Sequence, residues 1–156
     1  MKPVLMGTIV FAGAMMPACV FAGAQAAPAV PASGSQGFPY EQMSVTTNPN
    51  GSERRMVFAG TLKSGEVVMV RESTQPAGTP APLLHTIQHS EILVVREGAI
   101  EFQHDGKAER LGPGGVAYVA LGTPHAIKNV GEGAAKYVVI QIGGDTKPSS
   151  PPPAKP

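Results

Sequence analysis

The chain is punctuated rather than periodic. Aliphatic and β-branched runs, each long enough for one strand, are stopped by turn chemistry at intervals of about ten residues. Glu66 to Arg71 is one such run, inside a segment from Gly65 to Thr74, and Gln75-Pro76-Ala77-Gly78 stops it. Glu91 to Arg96 is a second, closed by Glu97-Gly98. Ala99 to His104 alternates apolar and polar side chains, the pattern of a half-buried strand. Asp105-Gly106 then supplies a hairpin turn, because both residue types tolerate positive φ, and Lys107 to Leu111 pairs back. Gly112-Pro113-Gly114-Gly115 turns the chain again before Val116 to Ala120. His125 to Val130 and Lys136 to Ile142 complete the set. No segment of this region has a long helical period, although a small helix near the N-terminal side of the core is compatible with the sequence. Many short strands of this spacing point to an all-β sandwich or barrel.

The ends of the chain read differently. Met1-Lys2 precedes an apolar run from Val4 to Met16, shorter than the ~20 residues a membrane span needs and of the length of a secretory signal. Small residues follow, and a cut after Ala26 fits the small-x-small pattern of Ala24-Gln25-Ala26, giving a signal peptide over 1–26. A secreted or periplasmic product is expected, without a membrane span. Cys19 is the one cysteine and lies in this segment, so the mature chain has no disulfide; lipid modification at Cys19 is the alternative. Residues 27–37 form an Ala/Pro/Gly linker and 146–156 a Pro-rich tail, both expected to stay unfolded. The single folded domain is therefore expected over 38–145, enough for one core.

Composition excludes several functions. Lys plus Arg total 12 and Asp plus Glu 11, a formal net charge of +1, which does not fit a nucleic-acid binder. Trp is absent and Phe and Tyr number 5 and 3, so the core is aliphatic and stacking platforms for bases are few. No phosphate loop or nucleophile elbow is present.

The chemistry lies in two histidine-bearing stretches, Gly78 to Gly98 and Gly114 to Asn129. Together they resemble the two motifs of the cupin superfamily. Glu91 and Gly98 keep the spacing of the first motif, and Gly114, Gly122, His125 and Asn129 keep that of the second. His85 falls near the first motif's first histidine, with six residues rather than five after Gly78. Ile87 stands where the motif has its second histidine, and Ala120 where the second motif has proline. The resemblance implies a jelly-roll β-barrel, a metal site built from His85, Glu91 and His125, and pairing of two copies into a homodimer.

The residue types agree with that implication. Imidazoles and a carboxylate suit a divalent transition ion such as iron, manganese, nickel, zinc or copper, and two histidines with one carboxylate leave positions open for a small molecule. Residues 85, 87, 89 and 91 share one face if the segment is extended, which makes His89 a candidate fourth ligand. A turn between 85 and 91 would break that parity. Glu91 opens an apolar strand, where an inward carboxylate is costly unless paired or bound to a cation. Asn129 reads as a loop brace and His104, at a hairpin tip, as a solvent-exposed residue. Arg71 and Arg96 are either holders of a ligand carboxylate or outward charges. Tyr118 is a cavity or core residue, and His89 or Glu97 is a general acid–base if it faces the cavity. A metal-dependent dioxygenase, isomerase or lyase acting on a small molecule is expected; the alternative is a non-catalytic module binding a sugar or small acid without metal.

Overall fold

Alternation in burial decides which way each strand faces. The computed structural model describes residues 34–144. The expected signal segment, with Cys19, most of the expected linker and the Pro-rich tail lie outside the described residues. A single 3₁₀ turn, Tyr40–Gln42, is followed by nine strands: β1 (Val45–Thr47), β2 (Glu53–Thr61), β3 (Val67–Gln75), β4 (Ser90–Glu97), β5 (Ile100–His104), β6 (Lys107–Leu111), β7 (Val116–Val119), β8 (His125–Asn129) and β9 (Ala135–Ile142). They form a six-stranded sheet in the order β1-β2-β3-β9-β4-β7 and a three-stranded sheet in the order β6-β5-β8, antiparallel throughout. This is the all-β jelly roll expected. Among the described residues no helix is long and apolar enough to cross a membrane.

The core lies between the sheets. Leu93 and Val95 of β4, Ala117 and Val119 of β7, and Tyr137 and Val139 of β9 face Ile100 and Phe102 of β5 and Ile127 of β8. Leu93, Val95, Ile100, Val119 and Val139 are almost completely buried, each contributing about 1.5–3 kcal/mol by removal from water. The intervening residues of β4 and β9 are only half-buried and face outward. Part of that outer face is covered by the segment around the 3₁₀ turn. Phe38 packs on Phe58 with ring centroids 6.0 Å apart, and Tyr40 donates its hydroxyl hydrogen bond to Glu72 at 2.9 Å.

The strands from β4 onward match the sequence reading closely. β1 and β2 do not appear in it. Glu53-Arg54-Arg55 and Gly60 dilute the apolar pattern of β2, and a register shift between Met56 and Phe58 interrupts its alternation. Pairing along both sides also carries β3 beyond Arg71 to Gln75, which pairs with Ala135.

Two turns show where backbone conformation dictates sequence. Asp105 and Gly106 have φ of 46° and 72°, the two positive values required by the tight hairpin joining β5 to β6. Gly98, between β4 and β5, has φ of 71°, and a Cβ there would lie 2.6 Å from the Ala134 carbonyl oxygen. At Gly106 a Cβ would meet nothing within 4 Å. Gly106→Ala is therefore expected to cost only the left-handed penalty of about 1–2 kcal/mol. Gly98→Ala is expected to cost about 3 kcal/mol or more, since the clash is with backbone and adds to the same penalty. Urea unfolding of the two variants measures the difference, and equal losses would contradict the close approach.

Candidate functional site

A pair of backbone hydrogen bonds brings the two histidine stretches together. His85, ahead of β4, and His125, the first residue of β8, form an isolated antiparallel bridge, with both N–H···O bonds 3.0 Å long. Directly paired residues put their side chains on one face, and the imidazole centroids lie 4.4 Å apart. Glu91, the second residue of β4, stands opposite Gln141 of β9. His85, Glu91 and His125 line one cavity of about 190 Å³, together with Arg71, Ser73, Gln75 and Tyr137.

Glu91 is buried but well supplied with donors. Gln141 Nε2 donates to Oε1 at 2.7 Å, and His89 Nε2 donates to the same oxygen at 3.0 Å. Burial works to raise its pKa, but the hydrogen bonds from Gln141 and His89 and the nearby charge of Arg71 outweigh it and hold the carboxyl below its ordinary value. The other oxygen, Oε2, faces His125 Nε2 at 3.8 Å. His125 Nδ1 bonds the Thr123 carbonyl at 2.9 Å. A carbonyl only accepts, so Nδ1 carries the proton, and in the neutral ring Nε2 presents its lone pair to the carboxylate. Two acceptors facing each other across a buried gap suit a cation between them, and a carbonyl-fixed tautomer is the usual support of a metal-ligating imidazole.

The donor set fits a divalent ion in chemistry, with Glu91 and His125 best placed. His85 is exposed, its ring set against His125. Among the described residues no group of three or more His, Cys, Asp or Glu is drawn tightly enough together to hold an ion. His89 is 5% exposed and is absent from the cavity lining. Bends at Gln88 and His89 break the extended parity from residue 85 to 91, so that His89 supports Glu91 from the side. Ile87 belongs to the apolar core, and its carbonyl accepts from Gly122 at 3.0 Å.

The remaining residues separate cleanly. Arg71 lies in the cavity wall, whereas Arg96 pairs with Glu72 on the outer face. Tyr118 neither lines the cavity nor packs in the core; it is 65% exposed, because alternation along β7 turns it outward. Glu97 pairs with Lys136 at 2.9 Å, away from the cavity. His104 is not solvent-exposed as expected: its side chain is 19% exposed and its ring stacks on Phe102 at 4.3 Å, also outside the cavity. Asn129 is a brace, donating to the carbonyls of Gln75 and Gly133 and accepting from Gly131 N–H.

Sequence reasoning missed Gln141 and Tyr137. Gln141 interrupts the apolar run Val138-Val139-Ile140, which was the available signal. Tyr137 bonds Ser73, and burial pushes its hydroxyl up to about 12, so it stays protonated.

Because Glu91 is depressed when folded, the stability it provides is complete above the ordinary value of 4.5 and is lost as pH falls through the lower folded value. Gln141→Leu is expected to cost about 1.5–3 kcal/mol near neutrality, the worth of a hydrogen bond to a charged group. That cost should shrink on acidification. Urea unfolding of chelator-treated protein from neutral to acid pH measures it, and a cost that does not change with pH would show that Gln141 acts only by packing.

Comparison with known proteins agrees with this architecture. The cupin domain family model matches residues 70–141. No curated protein matches the chain. Among solved structures, an RmlC-like cupin from Shewanella frigidimarina is 21% identical, over 69% of this chain and 91% of that one, with a TM-score of 0.58. A predicted oxalate decarboxylase from Thermotoga maritima is 19% identical over 69% and 98% of the two chains, with a TM-score of 0.53. The iron(II) form of HppE is 18% identical over 66% of this chain and 57% of that one, with a TM-score of 0.52. These likenesses are of fold. With the family match lying across β3 to β9 and both histidine stretches, residues 70–141 are a cupin domain, and the fold is that of the cupin superfamily.

Proposed function

We propose that this protein is a secreted or periplasmic cupin that binds a divalent transition ion at Glu91, His125 and His85 and acts on a small molecule in the adjoining cavity. The observation that carries the reading is the buried pair of Glu91 Oε2 and His125 Nε2, 3.8 Å apart with the Nδ1 of His125 tied to a carbonyl. The fold shared with the iron(II) form of HppE supports it. Iron, manganese, nickel, zinc and copper all suit this donor set. When bound, such an ion supplies Lewis acidity to an oxygen of the small molecule, which is compatible with dioxygenase, isomerase or lyase chemistry. The chain's own residues set the stage. Gln141 and His89 hold the carboxylate in place, Thr123 orients His125, and Tyr137 offers a protonated hydroxyl. The extracytoplasmic location rests on the apolar run and small-residue site within 1–26.

A second reading is a binding module without turnover, holding a sugar or small acid without metal. It is favoured by Ile87, which takes a histidine position of the first motif and packs into the core. Elemental analysis of full-length, untagged protein decides between the two after loading with each ion in turn. About one equivalent is expected, and less than about a tenth, for every ion, would overturn the metal reading. His125→Ala and Glu91→Ala should abolish loading. His89→Ala should weaken it about 10–100-fold, as loss of a ligand's supporting partner does, and His104→Ala should leave it unchanged.

Pairing of two copies is part of the same proposal. Val116 and Tyr118 of the edge strand β7 are 57% and 65% exposed, and they stand beside Val94 and Ile92 of β4 on the outer face. Apolar side chains so exposed on an edge strand favour burial against a partner. Sedimentation velocity should give a dimer that Tyr118→Glu dissociates; a wild-type monomer at micromolar concentration contradicts the pairing.

A further inference from the structure

The cavity wall formed by β3 carries unsatisfied polarity of two opposite kinds. Arg71, Ser73 and Gln75 alternate along this strand and all line the cavity. Arg71 Nε is buried and has no hydrogen-bond partner among the described residues. Gln75 Oε1 is in the same condition. The orientation of the Gln75 amide follows from its neighbour. Its Nε2 donates to the Ile127 carbonyl at 3.2 Å, and a carbonyl cannot donate in return, so the amide nitrogen must face Ile127 and the oxygen must face away. Ser73 is engaged with Tyr137. The cavity thus contains a charged group that can only donate and an amide oxygen that can only accept. Leaving either unpaired in a buried site costs about 1–3 kcal/mol, and more for a charged group.

We propose that the cavity takes a small hydroxylated carboxylic acid, its carboxylate held by the Arg71 guanidinium and a hydroxyl donating to Gln75 Oε1. This rests on the reading of the cavity as the ligand site, and it holds with or without the metal ion. A carboxylate matches the guanidinium in charge and in its planar, two-pronged geometry. The exposed Arg54 also lines the cavity, beside Glu53. A polyol of the same size brings no carboxylate to the unpaired Arg71 Nε, and a simple fatty acid leaves Gln75 Oε1 unpaired. Arg71 and Gln75 are four residues apart on one face of β3 and line the same cavity, so one molecule can meet both. A cavity of about 190 Å³ is below the ~300–1,000 Å³ usual for drug-sized ligands, so the acid is small.

Titration calorimetry on the full chain, as purified and after chelator treatment, tests this. The probes are glycolate, L-malate and gluconate. Acetate, succinate and hexanoate serve as the same chains without hydroxyls, sorbitol as hydroxyls without a carboxylate, and inorganic phosphate as a bare anion. At least one hydroxy acid should bind about tenfold more tightly than its counterpart lacking hydroxyls and than sorbitol or phosphate. Arg71→Met should weaken that binding about tenfold or more, with Arg71→Lys, which keeps the charge without the fork, falling between. Gln75→Leu should weaken the hydroxy acid about three- to tenfold and leave its counterpart unaffected. A thermal melt of each variant identifies any that fail to fold, and Arg71→Lys then carries the comparison. The proposal is overturned if no hydroxy acid binds, if sorbitol or phosphate binds as well, or if both Arg71 variants bind like the wild type. Loss of metal loading with hydroxy-acid binding intact removes the metal reading and leaves this one standing; metal loading without any acid binding does the reverse.

Discussion

A carboxylate inside a β-sandwich has to be compensated, and the compensation of Glu91 organises one end of this molecule. Water is replaced by two fixed donors on one oxygen, from Gln141 and His89. The cationic Arg71 acts at longer range. Together these outweigh the penalty of burial and keep the group ionised. The second oxygen is then available to the cavity and to His125. None of this would follow if the strand began one residue later. A shift of one residue turns Glu91 outward and an apolar neighbour inward, because side chains alternate with a period of two.

That register is held from both sides. β4 pairs with β7 and β9, placing Glu91 beside Val119 and Gln141. The His85–His125 bridge ties the segment before β4 to the smaller sheet. It sets the two imidazoles side by side, with that of His125 facing the carboxylate. The site is therefore a product of topology, since its members are carried by β4, β8 and β9 and by the stretch ahead of β4. Asn129 acts at the opposite end of β8, where its amide links Gln75 to the loop after that strand.

The sequence was most legible where alternation and turn chemistry are strong. The strands from β4 to β9 and the Asp105-Gly106 hairpin follow from patterns that physical chemistry imposes locally. β2 was hidden because its opening charges and its bulge blur the period. The site was legible as a set of residue types but not as a set of roles. Whether His89 enters the cavity depends on bends at Gln88 and His89, and no periodicity records them. Arg71 and Arg96 looked alike in sequence, each a charge in a β-branched run. Their difference comes from which face of the large sheet they occupy: Arg96 meets Glu72 outside, and Arg71 enters the cavity. His104 misled in the other direction, because a hairpin-tip position says nothing of the Phe102 ring that covers it.

Isoleucine at position 87, where the first motif has histidine, has a structural consequence of its own. Ile87 gives its side chain to the apolar cluster and its carbonyl to Gly122, so this stretch is fastened to the core. The polar duty passes two residues along, to His89, which reaches the carboxylate from outside the cavity. An imidazole there steadies the Glu91 carboxylate without occupying space in the cavity. The cavity wall includes Arg71 and Gln75 of β3 together with Glu91, His85 and His125. The polar lining of the cavity thus combines His85, Glu91 and His125 of the two histidine stretches with Arg71, Ser73 and Gln75 of β3, a strand ahead of both motifs, and selectivity for what enters should depend on both.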